Sequence, residues 1–535
     1  MEEYDYIVVG AGSAGCAVAG RLSEDPNVRV LLLEAGRNDK TPLVRKPGMI
    51  SVVHTVPQVK KTLDWGYYTT PRKATLDRKM PYVRGKVLGG SSSINGMIFV
   101  RGHRQNYDDW AADGCDGWSY EDVLPAYKKM ENFDGGASEL RGAGGPLEVT
   151  TVDDKSPVTD AFMEATSKAF NCKKIDDYNG EEQEGVSAVQ MSAKDGLRYS
   201  SAQAYITPNM SRPNLTVKVH ATVHKVELEG TRAVGVTFEH KGQVVTAKVT
   251  GEVVLSGGIA GSAQVLMLSG IGPAAHLKEM GIDCVADLPV GENLHDHLFF
   301  PMTFLAPRGG HRGTPWHFLA SVMRDAMGQK TWFKRTVFES LGFVKTDPSQ
   351  KVPNLQLHAL PWAYPSPNQD APVRPTVDLR PAITLLPTLI YPESRGELRL
   401  NSADPTQAPH IDPHFLEAGA DVEFFIKAIR MTREMMADSA VAGELRGELH
   451  PGPEYFDEAA LRRELPNRVT TVYHPVGTCR MGNDERAVVD SQLRVRGIEG
   501  LRVADASIMP NVIGGNTNAP AIMIGERCAE FIQAS

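Results

Sequence analysis

Residues 5–15 read DYIVVGAGSAG, and this stretch decides the fold of the first part of the chain. An apolar run of β-forming residues leads into the glycine cluster at 10–15. Small and apolar residues at 16–22 predict a helix, and the run VRVLLL at 28–33 predicts a second buried strand that ends at Glu34. This order of strand, glycine-rich turn, helix and strand is typical of a β–α–β unit that binds a dinucleotide.

The glycines and the glutamate of this unit have separate roles. Gly10 allows the tight turn, Gly12 lets the backbone approach a pyrophosphate, and Gly15 lets the helix lie close to the strand. The free N–H groups at the helix start favour phosphate. Glu34 lies 24 residues after Gly10, where a carboxylate can accept hydrogen bonds from ribose hydroxyls and repels a 2′-phosphate. The unit therefore argues against NADP and leaves FAD and NAD open.

The composition is that of an ordinary globular protein. The chain has 535 residues, of which 41% are hydrophobic and 23% charged. This length corresponds to about two or three domains. A net charge of −8 argues against a nucleic-acid partner. Glycine is enriched, with 50 residues, and much of the excess lies in a few tight clusters that carry most of the functional information.

The N-terminus and the cysteines bear on localisation. The first residues are acidic and lead directly into the first strand, without the features of a secretory signal. No run of about 18 apolar residues occurs. The six cysteines are far apart, as expected for free thiols in a reducing cytosol. We therefore expect a cytoplasmic protein without a transmembrane segment, and peripheral membrane contact stays open. No His and Cys residues have metal-ligand spacing, so we expect no metal.

A second glycine cluster lies at residues 84–102, RGKVLGGSSSINGMIFVRG, where Gly89, Gly90 and Gly96 allow a backbone to pass close to a flat ligand. This stretch resembles a signature of the glucose-methanol-choline (GMC) oxidoreductase family. Other stretches resemble motifs of that family in the family's order: 257–272 (GGIAGSAQVLMLSGIG), 289–297 (PVGENLHDH), 473–482 (YHPVGTCRMG), 503–510 (VADASIMP) and 515–520 (GNTNAP). Within the family, the chain looks closest to bacterial choline-dehydrogenase-like, alkanol-dehydrogenase-like and aryl-alcohol-oxidase-like members.

The resemblance implies a mixed α/β fold with two interleaved domains. A Rossmann-like FAD-binding domain would comprise residues 1–150, 190–304 and 463–535. A substrate domain of sheet and helices would comprise residues 151–189 and 305–462. The sequence pattern is compatible with this division, because it predicts β-rich structure at 214–255 and an amphipathic helix at 421–436.

The resemblance also implies which residues hold the cofactor, FAD. These are Gly10, Gly12, Ser13, Ala14, Gly15, Glu34, Ala35, Gly89, Gly90, Asn95, Gly96, Met97, Ile98, Val223, Asp505, Ala506 and Thr517. Some choline-oxidising family members tether FAD covalently through a histidine in the second cluster. The matching residue here is Ile94, which has no nucleophilic atom, so we expect FAD to be bound noncovalently.

The activity implied by the resemblance is oxidation of an alcohol to an aldehyde. The hydroxyl proton goes to a base, and the α-hydrogen leaves as hydride to flavin N5. The family's catalytic histidine falls on His474, and an imidazole suits the role of base near neutral pH. Asn516 falls where the family has a second His or Asn, and its amide can orient the alcohol oxygen. His358 is a candidate pocket residue, whereas we interpret His295 and His297 as structural.

One departure from the choline-oxidising relatives concerns the substrate. They carry a carboxylate two residues after the position of His297, where this chain has Phe299. An aromatic face attracts a quaternary ammonium by about 0.5–2 kcal/mol but provides no ion pair. We therefore expect a neutral primary alcohol, aliphatic or aromatic, in the pocket beside Phe299, and choline to be a poor substrate. Choline dehydrogenase remains an alternative.

The sequence leaves three questions about function open. An oxidase, which uses oxygen, and a dehydrogenase, which uses a quinone or another carrier, share every residue named above. Family relatives also include a cyanohydrin lyase and a light-driven fatty-acid decarboxylase, although the pair His474 and Asn516 favours alcohol oxidation. A noncatalytic FAD-binding protein is the third alternative, and the complete C-terminal motifs argue against it.

Overall fold

The computed structural model describes residues 2–307, 315–329, 331–364 and 380–534. Two large sheets organise these residues. The first sheet has seven strands, in the order Leu215–Val219, Val30–Glu34, Glu3–Val9, Gln243–Leu255, Arg232–His240 and Ala221–Glu229, with Leu501–Val503 also paired to Gln243–Leu255.

Parallel pairing within the first sheet brings the glycine clusters to one edge. Glu3–Val9 pairs in parallel with Val30–Glu34 on one side and with Gln243–Leu255 on the other. The carboxyl ends of these strands therefore lie together. Gly10 directly follows one of them, and Gly257 lies two residues after the end of another. This is the edge at which open α/β sheets bind ligands.

The second sheet has eight strands, and all of its pairs are antiparallel. Its main path runs Glu448–His450, Met302–Leu305, Ala382–Leu389, Leu355–Leu360, Ser340–Val344 and Gly185–Ala188. Leu298–Phe299 pairs with Ala382–Leu389, and Thr470–Thr471 pairs in turn with Leu298–Phe299. Glu131–Phe133, Leu147–Thr151 and Gln190–Met191 form a three-stranded sheet. The two-stranded pairs are Tyr67–Tyr68 with Pro81–Tyr82, Ala193–Lys194 with Leu197–Arg198, Ile271–Gly272 with Ala286–Asp287, and Glu397–Arg399 with His410–Asp412.

Helices surround these sheets. The α-helices are Ser13–Leu22, Pro42–Arg45, Ile50–Thr55, Pro57–Leu63, Arg104–Ala112, Tyr120–Met130, Pro157–Ala169, Gly258–Leu268, Ala274–Glu279, Pro315–Ala326, Gly419–Met436, Ser439–Ala442, Glu458–Arg468 and Asn518–Gln533. Short 3₁₀ turns include Gly90–Ser93 and Ala506–Ile508. In the described part of the chain, we find no helix with the length and apolar character needed to cross a bilayer.

The first helix, Ser13–Leu22, is buried on nearly every side, which explains why it is built from small residues. It packs against the C-terminal helix Asn518–Gln533, and a Cβ on Gly525 of that helix would overlap the backbone of Ala14. A Cβ on Gly15 would overlap the carbonyl oxygen of Gly10. The small residues therefore allow the close helix packing that the sequence predicts.

Several sequence predictions are confirmed. The fold mixes helix and sheet, the β–α–β unit is present at residues 3–34, and the helix predicted at 421–436 spans Gly419–Met436. All six cysteines are free, but the expectation that such thiols are buried is wrong for Cys284, which is exposed, and Cys172 is only half-buried. The domain boundaries stay a prediction. Leu298–Phe299 and Thr470–Thr471, which those boundaries assign to the FAD-binding domain, hydrogen-bond within the second sheet.

Gly15→Ala tests the close packing of the first helix. Because the added methyl overlaps the Gly10 carbonyl oxygen, we expect a loss of about 1–3 kcal/mol in folding free energy and a lower melting temperature by circular dichroism. Gly443→Ala is the matched control, since a Cβ on this exposed turn residue meets no atom within 4 Å. Equal melting temperatures for the two variants would contradict the assigned contact.

Candidate active site

A cavity of about 790 Å³ is lined by residues of both large sheets. Gly10, Glu34 and Ser256, at the carboxyl ends of parallel strands, line it from the first sheet. Phe299 and His358 line it from the second sheet. Both predicted catalytic residues, His474 and Asn516, also line this cavity.

Close backbone contacts between glycines shape the part of the cavity beside the first sheet. Gly10 has a φ of +95°, and a Cβ there would lie 2.6 Å from the carbonyl oxygen of Ser256. Gly90 packs against Gly12, because a Cβ on Gly90 would lie 2.7 Å from the Gly12 Cα. A Cβ on Gly12 itself would meet only the Ser256 carbonyl oxygen, 3.7 Å away. The bare Gly12 backbone therefore opens the cavity beside the helix start at Ser13, where a dinucleotide phosphate fits.

Two buried carboxylates lie in this part of the cavity, and each accepts hydrogen bonds from backbone N–H groups. Glu34 accepts from Ala11 at 3.0 Å and from Gly36 at 2.8 Å. Asp505 accepts from Gly258 at 2.9 Å. Burial raises the pKa of Glu34 to about 7 and also raises the pKa of Asp505, while the backbone hydrogen bonds oppose both shifts. Both acids are thus held in fixed orientations.

The structure brings nearly all of the predicted cofactor-binding residues to this one cavity. Gly15 and Gly89 are the exceptions, because they do not line it. A Cβ on Gly89 would overlap the Ser93 hydroxyl, so both glycines are packed within the protein. The predicted residues that line the cavity are Gly10, Gly12, Ser13, Ala14, Glu34, Ala35, Gly90, Asn95, Gly96, Met97, Ile98, Val223, Asp505, Ala506 and Thr517.

His474 is fixed by contacts on three sides. Its backbone N–H donates to Asp296 Oδ1 at 2.8 Å. Its ring nitrogen Nε2 lies 3.1 Å from Asn516 Nδ2, and its Nδ1 lies 3.1 Å from His297 Nδ1. The rings of His297 and His474 meet edge to face, with centroids 5.3 Å apart. The predicted pair His474 and Asn516 is therefore in direct hydrogen-bond contact.

The surroundings of His474 disfavour its protonated form. Burial is the largest cause and lowers its pKa well below the usual value, and the nearby His297, His358 and Arg84 add to this shift. Burial also lowers the pKa of His297 to about 3 and that of His358 to about 4. At neutral pH the site thus contains neutral imidazoles, each with one nitrogen that carries a lone pair.

Aromatic and aliphatic side chains line the cavity on the side of the second sheet. Phe299 contacts Tyr364 with ring centroids 5.8 Å apart, and Trp332 contacts Trp362 at 4.7 Å. His358 lies among them, with its Nδ1 3.3 Å from Thr388 Oγ1. Other apolar residues on this wall are Val337, Phe338, Leu360, Leu386 and Val472.

Sequence reasoning missed several residues of this site. We interpreted His297 as structural, yet its ring contacts His474. Gln356 donates to Asn516 Oδ1 at 3.1 Å, and no motif indicated it. Arg84 lines the cavity and donates to the backbone carbonyl of Tyr473. His297 and Arg84 lie inside quoted motifs, so the motifs offered a signal for these two residues only.

The geometry defines what this arrangement can do. A neutral imidazole and an amide lie side by side at an apolar wall, where a hydroxyl can donate to the ring and accept from the amide. The glycine-lined end of the same cavity fits a dinucleotide. Among the described residues, no group of His, Cys, Asp and Glu is arranged to hold a metal ion.

Comparison with known proteins places this chain in one family along nearly its whole length. Family models described as GMC oxidoreductase match residues 4–299 and 392–525. An alcohol dehydrogenase [acceptor] of Pseudomonas putida is 41% identical, covering 99% of this chain and 95% of the relative. An oxygen-dependent choline dehydrogenase of Sinorhizobium medicae is 39% identical, with the same coverage of 99% and 95%.

Solved structures agree with these matches. Pyridoxine 4-oxidase from Mesorbium loti has a TM-score of 0.88 and 30% identity, and 99% of each chain is covered. Formate oxidase from Aspergillus oryzae has a TM-score of 0.91 and 27% identity, covering 100% of this chain and 98% of the neighbour. The resemblance found in the sequence motifs is therefore confirmed, and the chain belongs to the GMC oxidoreductase family.

Proposed function

We propose that this oxidoreductase uses FAD to oxidise a neutral primary alcohol to the aldehyde, with His474 as the base that accepts the hydroxyl proton. The observation that carries the proposal is the contact between a buried, neutral His474 and Asn516 in a cavity whose other end is lined by glycine backbone. The named relatives, an alcohol dehydrogenase and a choline dehydrogenase, support the reaction class.

The residues present fit FAD. Gly12, Ser13 and Ala14 would face its pyrophosphate at the helix start, and Glu34 would accept from a ribose hydroxyl. The second glycine cluster, through residues 90 and 95–98, would face the flavin. When bound, FAD supplies the acceptor for the hydride that the alcohol carbon releases.

Proton transfer is the step that the chain's own residues perform. Nε2 of the neutral His474 accepts the hydroxyl proton, since burial keeps the ring unprotonated at neutral pH. The Asn516 amide, which donates to His474 Nε2 in this structure, would donate to the alcohol oxygen instead when substrate binds, and this frees the Nε2 lone pair for the hydroxyl proton. The apolar wall excludes water, which strengthens both hydrogen bonds.

The charges of the cavity lining, which include those of Lys60 and Arg84, argue against a cationic substrate. In the described part of the chain, the acidic residues that line the cavity are Glu34 and Asp505, and backbone N–H groups bind both. The wall that contains Phe299 is aromatic and aliphatic. A quaternary ammonium would gain only cation–π attraction of about 0.5–2 kcal/mol at such a wall. An aliphatic or aromatic alcohol gains more, because it buries apolar surface.

The site also bears on the alternatives. The His474–Asn516 contact argues against a decarboxylase, whose carboxylate substrate has no hydroxyl proton to give. A cyanohydrin lyase would also remove a hydroxyl proton, and the names of the relatives favour oxidation of an alcohol over that reaction. The electron acceptor is oxygen or a carrier such as a quinone. The names of the relatives include an acceptor-dependent enzyme and an oxygen-dependent one.

Anaerobic bleaching of the flavin spectrum by a panel of alcohols tests the proposed function. We expect neutral aliphatic or aromatic primary alcohols to reduce the flavin and choline to do so poorly. His474→Ala should slow the reduction by about 10²–10⁴-fold, because it removes the base. His276→Ala is a matched control, since His276 does not line the cavity. An unreactive panel, rapid reduction by choline alone, or an unchanged rate in His474→Ala would each contradict the proposal.

The pH dependence of flavin reduction follows from the low pKa of His474. A base is active in its unprotonated form, so its rate falls only as the pH drops through its pKa. We expect the rate constant in stopped-flow experiments to stay constant from pH 8 to below 6.5, the ordinary value for histidine, and to fall only in more acid solution. A decline centred at or above pH 6.5 would contradict the assigned environment.

Acid denaturation tests the mode of FAD binding. Ile94 lines the cavity and offers no nucleophilic atom for a covalent bond. We therefore expect FAD to remain in the supernatant when the holoenzyme is precipitated with acid and centrifuged, as measured by its absorbance. Yellow colour that stays with the washed protein pellet would show a covalent link.

A further inference from the structure

A chain of buried side chains extends from the second sheet to His474. Gln356, in the strand Leu355–Leu360, is fully buried, and its Nε2 lies 3.1 Å from Asn516 Oδ1. Asn516 Nδ2 lies 3.1 Å from His474 Nε2. His474 Nδ1 in turn lies 3.1 Å from His297 Nδ1. The four side chains thus form one continuous hydrogen-bonded chain.

The direction of the hydrogen bonds among these four side chains follows from which of their atoms donate and which accept. An amide nitrogen only donates and an amide oxygen only accepts. Gln356 donates to the oxygen of Asn516, which leaves the Asn516 nitrogen to donate to His474 Nε2. His474 Nε2 must then carry its lone pair, so the neutral ring has its hydrogen on Nδ1. That hydrogen is donated to His297 Nδ1, and His297 has its own hydrogen on Nε2.

The two ends of this hydrogen-bonded series carry equivalent buried polar atoms. His297 Nε2 and Gln356 Oε1 are both buried without a hydrogen-bond partner among the described residues. In either direction, one end keeps an unsatisfied donor and the other an unsatisfied acceptor, so the ends do not favour one direction over the other. The direction is therefore that of the amide orientations in the structure, in which Gln356 Nε2 faces Asn516 Oδ1 and Asn516 Nδ2 faces His474 Nε2.

We propose that Gln356 is a positioning residue that, through Asn516, keeps the lone pair of His474 on Nε2. This inference rests on the proposed function, in which Nε2 is the atom that accepts the hydroxyl proton. Gln356 occupies the amide oxygen of Asn516, so the amide N–H groups face Nε2, and the alcohol oxygen can accept from them in place of Nε2 when substrate binds. The residue contributes by fixing which atom of His474 is basic, without touching the substrate.

Histidine NMR of the holoenzyme measures this tautomer without any substrate. In protein labelled with ¹⁵N-histidine, and with the His474 signals assigned by their loss in His474→Ala, we expect Nε2 to be unprotonated and Nδ1 protonated. In Gln356→Leu, which removes the donor, we expect a mixture of the two tautomers and flavin reduction slowed by about 10-fold, less than the 10²–10⁴-fold expected for loss of the base.

Gln356→Glu gives a second, nearly isosteric test with its own pH signature. A protonated carboxyl can still donate to Asn516 Oδ1. An ionised carboxylate can only accept, so it favours the opposite orientation of the Asn516 amide, with Nδ2 towards residue 356 and Oδ1 towards His474. We expect flavin reduction in this variant to slow as the pH rises, opposite to the wild type. Gln407→Glu is the matched control, since Gln407 is exposed and does not line the cavity.

Several outcomes would overturn the proposal. One is a protonated Nε2 in wild-type His474. Another is a Gln356→Leu protein with an unchanged tautomer and an unchanged rate. An alcohol panel that fails to reduce the wild-type flavin rejects the proposed function instead. The NMR measurement of the His474 tautomer would still test the role of Gln356 in that case, because it needs no alcohol.

Discussion

The cavity depends on a close approach of backbones that only glycine permits. Gly10 turns under the carbonyl of Ser256, and Gly90 lies directly against Gly12. These contacts join chain segments from the first strand, the second glycine cluster and the strand Gln243–Leu255 at one edge of the parallel sheet. A methyl group at Gly10 or Gly90 would separate the segments, and one at Gly12 would enter the cavity itself. Glycine at positions 10 and 90 is therefore a geometric requirement of the site.

On the side of the second sheet, the cavity has an aromatic and aliphatic wall, and His474, the proposed base, lies in the same cavity. The burial of His474 lowers the pKa of its ring. The backbone of His474 is anchored separately by Asp296. Burial alone would leave a neutral imidazole free to exchange tautomers, whereas its hydrogen-bond partners select one. Packing around the cavity thus has two effects: it forms the apolar wall, and it keeps the His474 ring neutral.

The sequence predicts the parts of the fold that are local. The β–α–β unit lies within some thirty consecutive residues, so strand, turn and helix signals are sufficient to identify it. His474 and Asn516 were identified because motifs mark them. The contacts of His297 and Gln356 join residues more than 150 positions apart, and no local signal encodes them. The aromatic wall was missed because a side chain such as Trp332 has the same pattern in a core as in a pocket.

Asn516 shows why the long-range contacts matter for chemistry. The family allows a second histidine at this position, and an imidazole can carry its hydrogen on either nitrogen. An amide cannot, because its donor and acceptor ends are fixed. With an amide at this position, the direction of the hydrogen bond to His474 depends on which partner holds the amide oxygen. In this chain that partner is Gln356, on the opposite side from His474. We therefore propose that a buried strand residue outside every motif determines which nitrogen of His474 is basic.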